Sequence, residues 1–166
     1  MESDRRPGQW VLLAYRLPRE PSRPRIAVWR RLERLGVARL GDGLVALPAD
    51  ARTREQIDWI ADEVLEGGGT ATVWLSVPST LAQERDIASG MRAARAAEYR
   101  QVITEAAATA TGEAERARAV RRLRGELRRI SRRDYFPPLE RDTARAAVQA
   151  LADGHLTDMT QAGEPT

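Results

Sequence analysis

A chain of 166 residues can bury one core with an appendage, and 31% charged residues beside 42% apolar ones suit a packed globule. It contains no Cys, which excludes disulfides, thiolate metal sites and thiol redox sensing, and all 27 of its basic residues are Arg. The net charge of +3 is modest, so a surface for a polyanion must come from segregation of charge rather than from its total.

Guanidinium groups suit bidentate contacts to phosphate and other oxyanions, although the codon preference of a GC-rich genome accounts for the same Arg usage. The opening MESDRRPGQ has no apolar signal region, and no later apolar run approaches the ~18 residues of a spanning helix. A cytoplasmic protein without a membrane partner is expected.

Trp10–Tyr15 is an uninterrupted apolar run between Gly8 and Pro18. Too short for most helices, it predicts a central strand buried on both faces. After the turn PREPSRPR, Ser22 as N-cap and Pro24 in the first turn open a helix to about Leu35. Ile26, Trp29 and Leu32 are expected to face inward, with Val28 and Leu35 as further candidates, and Gly36 to end it.

Val37–Leu40, the turn Gly41-Asp42-Gly43 and Leu44–Leu47 read as a β-hairpin closed by Pro48. Thr53 and Gln56 form a capping-box pattern for a second helix. That helix inserts Ile57, Ile60, Val64 and Leu65, leaves Trp59 off its stripe, and stops at Gly67-Gly68-Gly69. Thr70–Val77 is a last strand. The order β-α-β-β-α-β predicts an α+β, ferredoxin-like sandwich over residues 8–78, with the first and third strands central.

The rest reads as a helical extension packed on it over residues 79–154, then a disordered polar tail over 155–166. One helix spans about Thr80 to Ala110, with Ile87, Met91, Tyr99, Val102 and Ile103 at helical spacing. A second covers Glu113–Arg133 on the stripe Val120, Leu123, Leu127 and Ile130. Tyr135-Phe136 before Pro137-Pro138 should dock on a core, and a last helix spans about Leu139–Leu151.

Charge is segregated along the chain. Arg16 to Arg34 holds seven Arg against two Glu, and Asp50 to Glu66 holds six acids against two Arg. Two such helices on one face of a sheet would neutralise each other through ion pairs. Glu113 to Arg133 holds nine Arg against three Glu, and no acidic segment follows it. At ~100° per residue Arg118, Arg121, Arg122, Arg128, Arg129 and Arg132 lie opposite its apolar stripe, with Gly125 as a flat spot among them. This pattern fits a phosphate-contacting surface, and it also fits a solvated helix face.

Catalytic chemistry has no candidates. The single histidine, His155, lies near the frayed end, and no His/Cys/Asp cluster has metal-ligand spacing. No Gly-rich loop follows a strand, and the first strand ends in Tyr15-Arg16-Leu17-Pro18, without the acid a metal-dependent nuclease would need there. No catalytic residue, metal or cofactor is expected, and the chain reads as a non-enzyme.

WVLLAYRLP, then PRIAVWRRLERLGVARLGDGLVALPA, then EGGGTATV resembles the N-terminal domain of the chromate-resistance regulator ChrB. Related ferredoxin-like domains occur in PaaX-type repressors. AARAAEY and LRRISRRDYFPP extend the likeness to about Gly8–Leu151. The resemblance implies a cytoplasmic, homodimeric, DNA-binding transcriptional regulator of the chromate response, with DNA as partner and chromate or sulfate as a possible ligand. The family's usual C-terminal domain is missing from this chain, which predicts little chromate sensing by it alone. A non-enzymatic module that binds an oxyanion or another protein, without nucleic acid, is the alternative.

Overall fold

In the computed structural model, residues 7–109 and 112–154 are described. The tail expected over 155–166, with His155, lies outside them. The described residues form a four-stranded antiparallel sheet and five helices, an α+β arrangement, and the chain divides into two compact units, Met1–Met91 and Arg92–Thr166.

The first unit is built on β1 (Trp10–Arg16). It pairs antiparallel with β3 (Leu44–Pro48) on one edge and with β4 (Thr70–Ser76) on the other, while β2 (Ala38–Gly41) lies outside β3. The sheet order is β2-β3-β1-β4, so the first and third strands are interior as expected. Trp10, Val11 and Leu13 are buried, but Leu12 and Ala14 are only half-buried. Burial on both faces therefore holds only at the start of β1 and then gives way to alternation.

The covered face is set by register. Val11 lies opposite Leu47 and Leu13 opposite Val45, all four buried. Helix α2 (Ala51–Glu66) packs on β1 and β4, inserting Ile57, Ile60, Ala61 and Val64, and α1 (Ser22–Leu35) packs on α2 through Val28 and Leu32. Burying each of the Ile, Val and Leu side chains among these contributes about 1.5–3 kcal/mol.

Several local expectations are corrected. Ser22 is the first helical residue, and Pro21 holds the N-cap position without a side-chain cap. The capping box of α2 is Asp50 with Thr53, three residues upstream of the expected Thr53–Gln56 pair. The Asp50 carboxylate accepts from the Thr53 amide at 2.7 Å, and the Thr53 hydroxyl accepts from the Asp50 amide at 2.9 Å. Ile26 and Trp29 of α1 stay 44% and 42% exposed, and Leu65 of α2 is exposed as well, so each helix buries a narrower stripe than its apolar residues suggested. Gly36 ends α1 in the left-handed conformation as expected. One ion pair, Arg31–Glu63 at 2.8 Å, joins the basic helix to the acidic one; both partners are part-exposed, so it contributes under ~1 kcal/mol.

Two glycines let backbone crowd against the end of β1. At Gly43 (φ 71°) a Cβ would collide with the Tyr15 carbonyl oxygen, and the Tyr15 amide donates to the Gly43 carbonyl at 2.7 Å. At Gly69 a Cβ would collide with the Arg16 carbonyl oxygen. On its N-terminal side the strand is tied to the first turn of α3 (Leu81–Ala108). There the Glu84 carboxylate accepts from the Gly8 amide at 2.7 Å and from the Trp10 indole N–H at 3.2 Å.

The second unit comprises the later part of α3, α4 (Glu113–Ser131) and α5 (Glu140–Ala152). Its core is one cluster of Tyr99, Val102 and Ala106 from α3, Val120, Leu123 and Ile130 from α4, and Ala144, Val148 and Leu151 from α5. Leu127 packs against it half-buried. Tyr135 and Phe136 are also half-buried, short of full docking, while Pro138 is buried.

Gly43→Ala is expected to lower the unfolding free energy by about 2 kcal/mol or more, through both the left-handed backbone and the collision. Gly41→Ala, with nothing within 4 Å of the new methyl, should cost under about 1 kcal/mol. Urea unfolding of the two variants checks this, and equal small losses would contradict it.

Candidate nucleic-acid interface

Helix α4 presents its predicted basic face because the opposite face is pinned by Val120, Leu123 and Ile130 in the core of the second unit. Arg118, Arg121, Arg122, Arg128, Arg129 and Arg132 are all exposed. The first five lie within the helix, and Arg132 is its C-cap. The face is therefore real as geometry, but its members differ electrostatically.

Arg122 pairs with Glu105 of α3, and Arg129 with Glu126 one turn back on its own helix. Arg118 donates from Nε to the Ala114 carbonyl at 3.3 Å. Arg121 and Arg128 carry no ion pair with a described residue and project their full charge. Gly125 lies beside the second of these: a Cβ built there would meet only the Arg128 guanidinium, at an ordinary 3.8 Å. The flat spot expected at Gly125 thus borders an unpaired cation.

Where the chain leaves α4 lies a polar network that sequence reasoning missed. The Glu98 carboxylate accepts from Arg133 at 2.8 Å and from Arg95 at 3.2 Å, and the two arginine side chains are only 19% and 12% exposed. The Tyr99 hydroxyl donates to the Asp134 carboxylate at 2.9 Å. Burial, then the hydrogen bond to Asp134 and its negative charge, push the Tyr99 hydroxyl up to about 12. Burial likewise pulls the Arg95 guanidinium down, an effect that Glu98 opposes.

Nε and Nη1 of Arg95, Nε of Arg133 and one Asp134 oxygen are buried without a partner among the described residues. The network holds the chain where it leaves α4. Its sequence signal was faint: Arg95, Glu98 and Tyr99 share one side of a helix at i, i+3 and i+4, while Arg133-Asp134 lies 35 residues further along. No group of three or more His, Cys, Asp or Glu that could hold a metal occurs among the described residues. Nor is any described helix long and apolar enough to cross a membrane.

A family model described as protein ChrB, N-terminal, matches residues 25–117, more than half of the chain. The chain belongs to this ChrB N-terminal family. No curated protein and no solved structure matches it. The ChrB match runs from α1 to the first residues of α4, a shorter span than the likeness read over Gly8–Leu151. It ends one residue before Arg118, so the basic face rests on the geometry of α4 and not on the match.

A tyrosine whose folded-state pKa lies above its ordinary 10.0 contributes stability that is complete below pH 10 and is lost as pH rises through about 12. The midpoint of thermal unfolding should therefore fall across that window more steeply in the wild type than in Tyr99→Phe. Parallel pH profiles would show that Tyr99 does not couple folding to alkaline pH.

Proposed function

We propose that the chain is a DNA-binding transcriptional regulator of the chromate-resistance kind rather than an enzyme. In this reading it is a cytoplasmic homodimer that contacts DNA through α4. Membership of the ChrB N-terminal family supports the regulatory class. The observation that carries DNA contact is the pair Arg121 and Arg128, exposed on a helix whose other face is locked into a core and flanking the flat spot at Gly125. Unpaired guanidiniums on a rigid helix suit phosphate contacts, which set affinity rather than sequence preference.

The βαββαβ order with sheet order β2-β3-β1-β4 supports a ferredoxin-like arrangement for the first unit, and dimerisation through its sheet. Trp74, 58% exposed, lies opposite half-buried Leu12 in the β1–β4 register, an apolar pair that a second sheet could cover. Sedimentation of Trp74→Glu reads this: a monomer beside a wild-type dimer supports the sheet interface, and an unaltered dimer sinks it.

The second reading is an oxyanion-binding module without nucleic acid. The buried donors of Arg95 and Arg133 that lack a partner among the described residues favour it. A site built from guanidiniums alone would barely separate chromate from sulfate, so excess sulfate should displace chromate. Tight chromate binding indifferent to sulfate would contradict such a site.

Each phosphate neutralised contributes about −0.9 to the slope of log affinity against log salt on duplex DNA. Replacing both Arg121 and Arg128 with Ala should weaken binding alike for every sequence and flatten that slope by about two. An unchanged slope in a folded variant would remove α4 from the interface. Gly125→Ala separates stability from binding. It should raise helix stability by about 0.5–1 kcal/mol while weakening DNA affinity, whereas an affinity that stays level would show that no phosphate approaches there.

A further inference from the structure

The residues of α1 that were expected in the core have another use. Ile26 and Trp29, left about half exposed, line a cavity of about 640 Å³ in the first unit, together with Leu17 beyond the end of β1. Its charged wall is formed by Arg16 from the last position of β1 and by Arg25 and Arg30 from α1. None of these three arginines has an ion pair with a described residue, unlike Arg31, which Glu63 neutralises. Among the lining residues the one acid is Asp42, in the turn between β2 and β3.

Three guanidiniums around one apolar hollow repel one another, and an anion would relieve that repulsion through charge-assisted hydrogen bonds. Tyr15 also lines the cavity. Burial raises its hydroxyl's pKa, with Arg39 partly opposing, so it remains a protonated donor near neutrality. The frame is stiff where it matters. The Tyr15 amide bonds the Gly43 carbonyl, and the same Tyr15–Arg16 backbone is crowded by Gly43 on one side and Gly69 on the other. The site is thus largely formed before a ligand arrives, which lowers the ordering cost of binding.

The volume falls within the range of small-molecule sites, and a bare tetrahedral anion would leave most of it to water. A cation is disfavoured by the excess of arginines over the single Asp. What remains is an apolar body with a flat face for the Trp29 ring and a head group for the arginine forks.

We propose that this cavity binds an organic anion consisting of an aromatic ring and a carboxylate or phosphate group, such as an aryl carboxylate or a nucleotide. The site does not depend on the DNA-binding reading, since it uses none of the arginines of α4.

The test is calorimetric titration of the full chain with salicylate, with guanosine monophosphate, and with sodium sulfate as the ringless control. At least one ring-bearing anion should bind saturably with Kd below about 1 mM and at least tenfold tighter than sulfate; which of the two does so identifies the source. The double variant Arg25→Gln/Arg30→Gln, both at exposed positions, should lose roughly tenfold or more in affinity. Arg121→Gln/Arg128→Gln should bind as the wild type does. Failure of both ring ligands, sulfate binding as tightly as they do, or an unaffected Arg25/Arg30 variant would each overturn the proposal.

Discussion

The first unit depends on how closely backbone can approach the end of β1. The strand is hydrogen-bonded along both edges, so its last residues admit no bulk from either neighbour. Gly43 and Gly69 meet that demand from opposite sides, the first in the β2–β3 turn and the second where the chain enters β4. A methyl group at either would push a strand or turn away from Tyr15 and Arg16 and spoil the register. That register sets Val11 and Leu13 against Leu47 and Val45 in the core. The same squeeze fixes Tyr15 and Arg16 at the edge of the cavity, so a constraint on strand pairing also shapes a potential site.

In the second unit an apolar stripe plays the organising part, and its consequence is a sorting of the arginines. Arg95 and Arg133 turn inward to Glu98, Arg122 and Arg129 are held by acids on the surface, and Arg121 and Arg128 remain with their charge uncompensated among the described residues. Surface pairs such as Arg129–Glu126 add little stability and are easily exchanged for a phosphate. The inward pair is different, because removing its carboxylate would strand two poorly solvated cations. One residue type, Arg, therefore fills three physical roles.

Much of this was legible in the residues. The apolar run at β1, Gly36 as a stop for α1, the hairpin around Gly41–Gly43, the exposed Trp59 and the α4 stripe all follow from local pattern. Two kinds of error have physical causes. Ile26 and Trp29 sit at helical spacing with Leu32, but periodicity cannot say how wide a stripe the neighbour covers, and in α1 only Val28 and Leu32 are buried. The second kind is reach: the pairing of Tyr99 with Asp134, and of Glu98 with Arg133, spans 35 residues and leaves no local signature. The choice of Thr53–Gln56 over Asp50–Thr53 as the capping box was a local ambiguity, since Asp50 is as good an N-cap as any residue nearby.

The most direct test of the central claim, that the exposed arginines of α4 meet phosphate while the inward ones hold the fold, is nuclear magnetic resonance of the arginine Nε–H groups during titration with duplex DNA. The account predicts that the Arg121 and Arg128 signals shift in step with saturation while those of Arg95 and Arg133 stay in place. Shifts confined to Arg16, Arg25 and Arg30, or no shift at any arginine of α4, would contradict it.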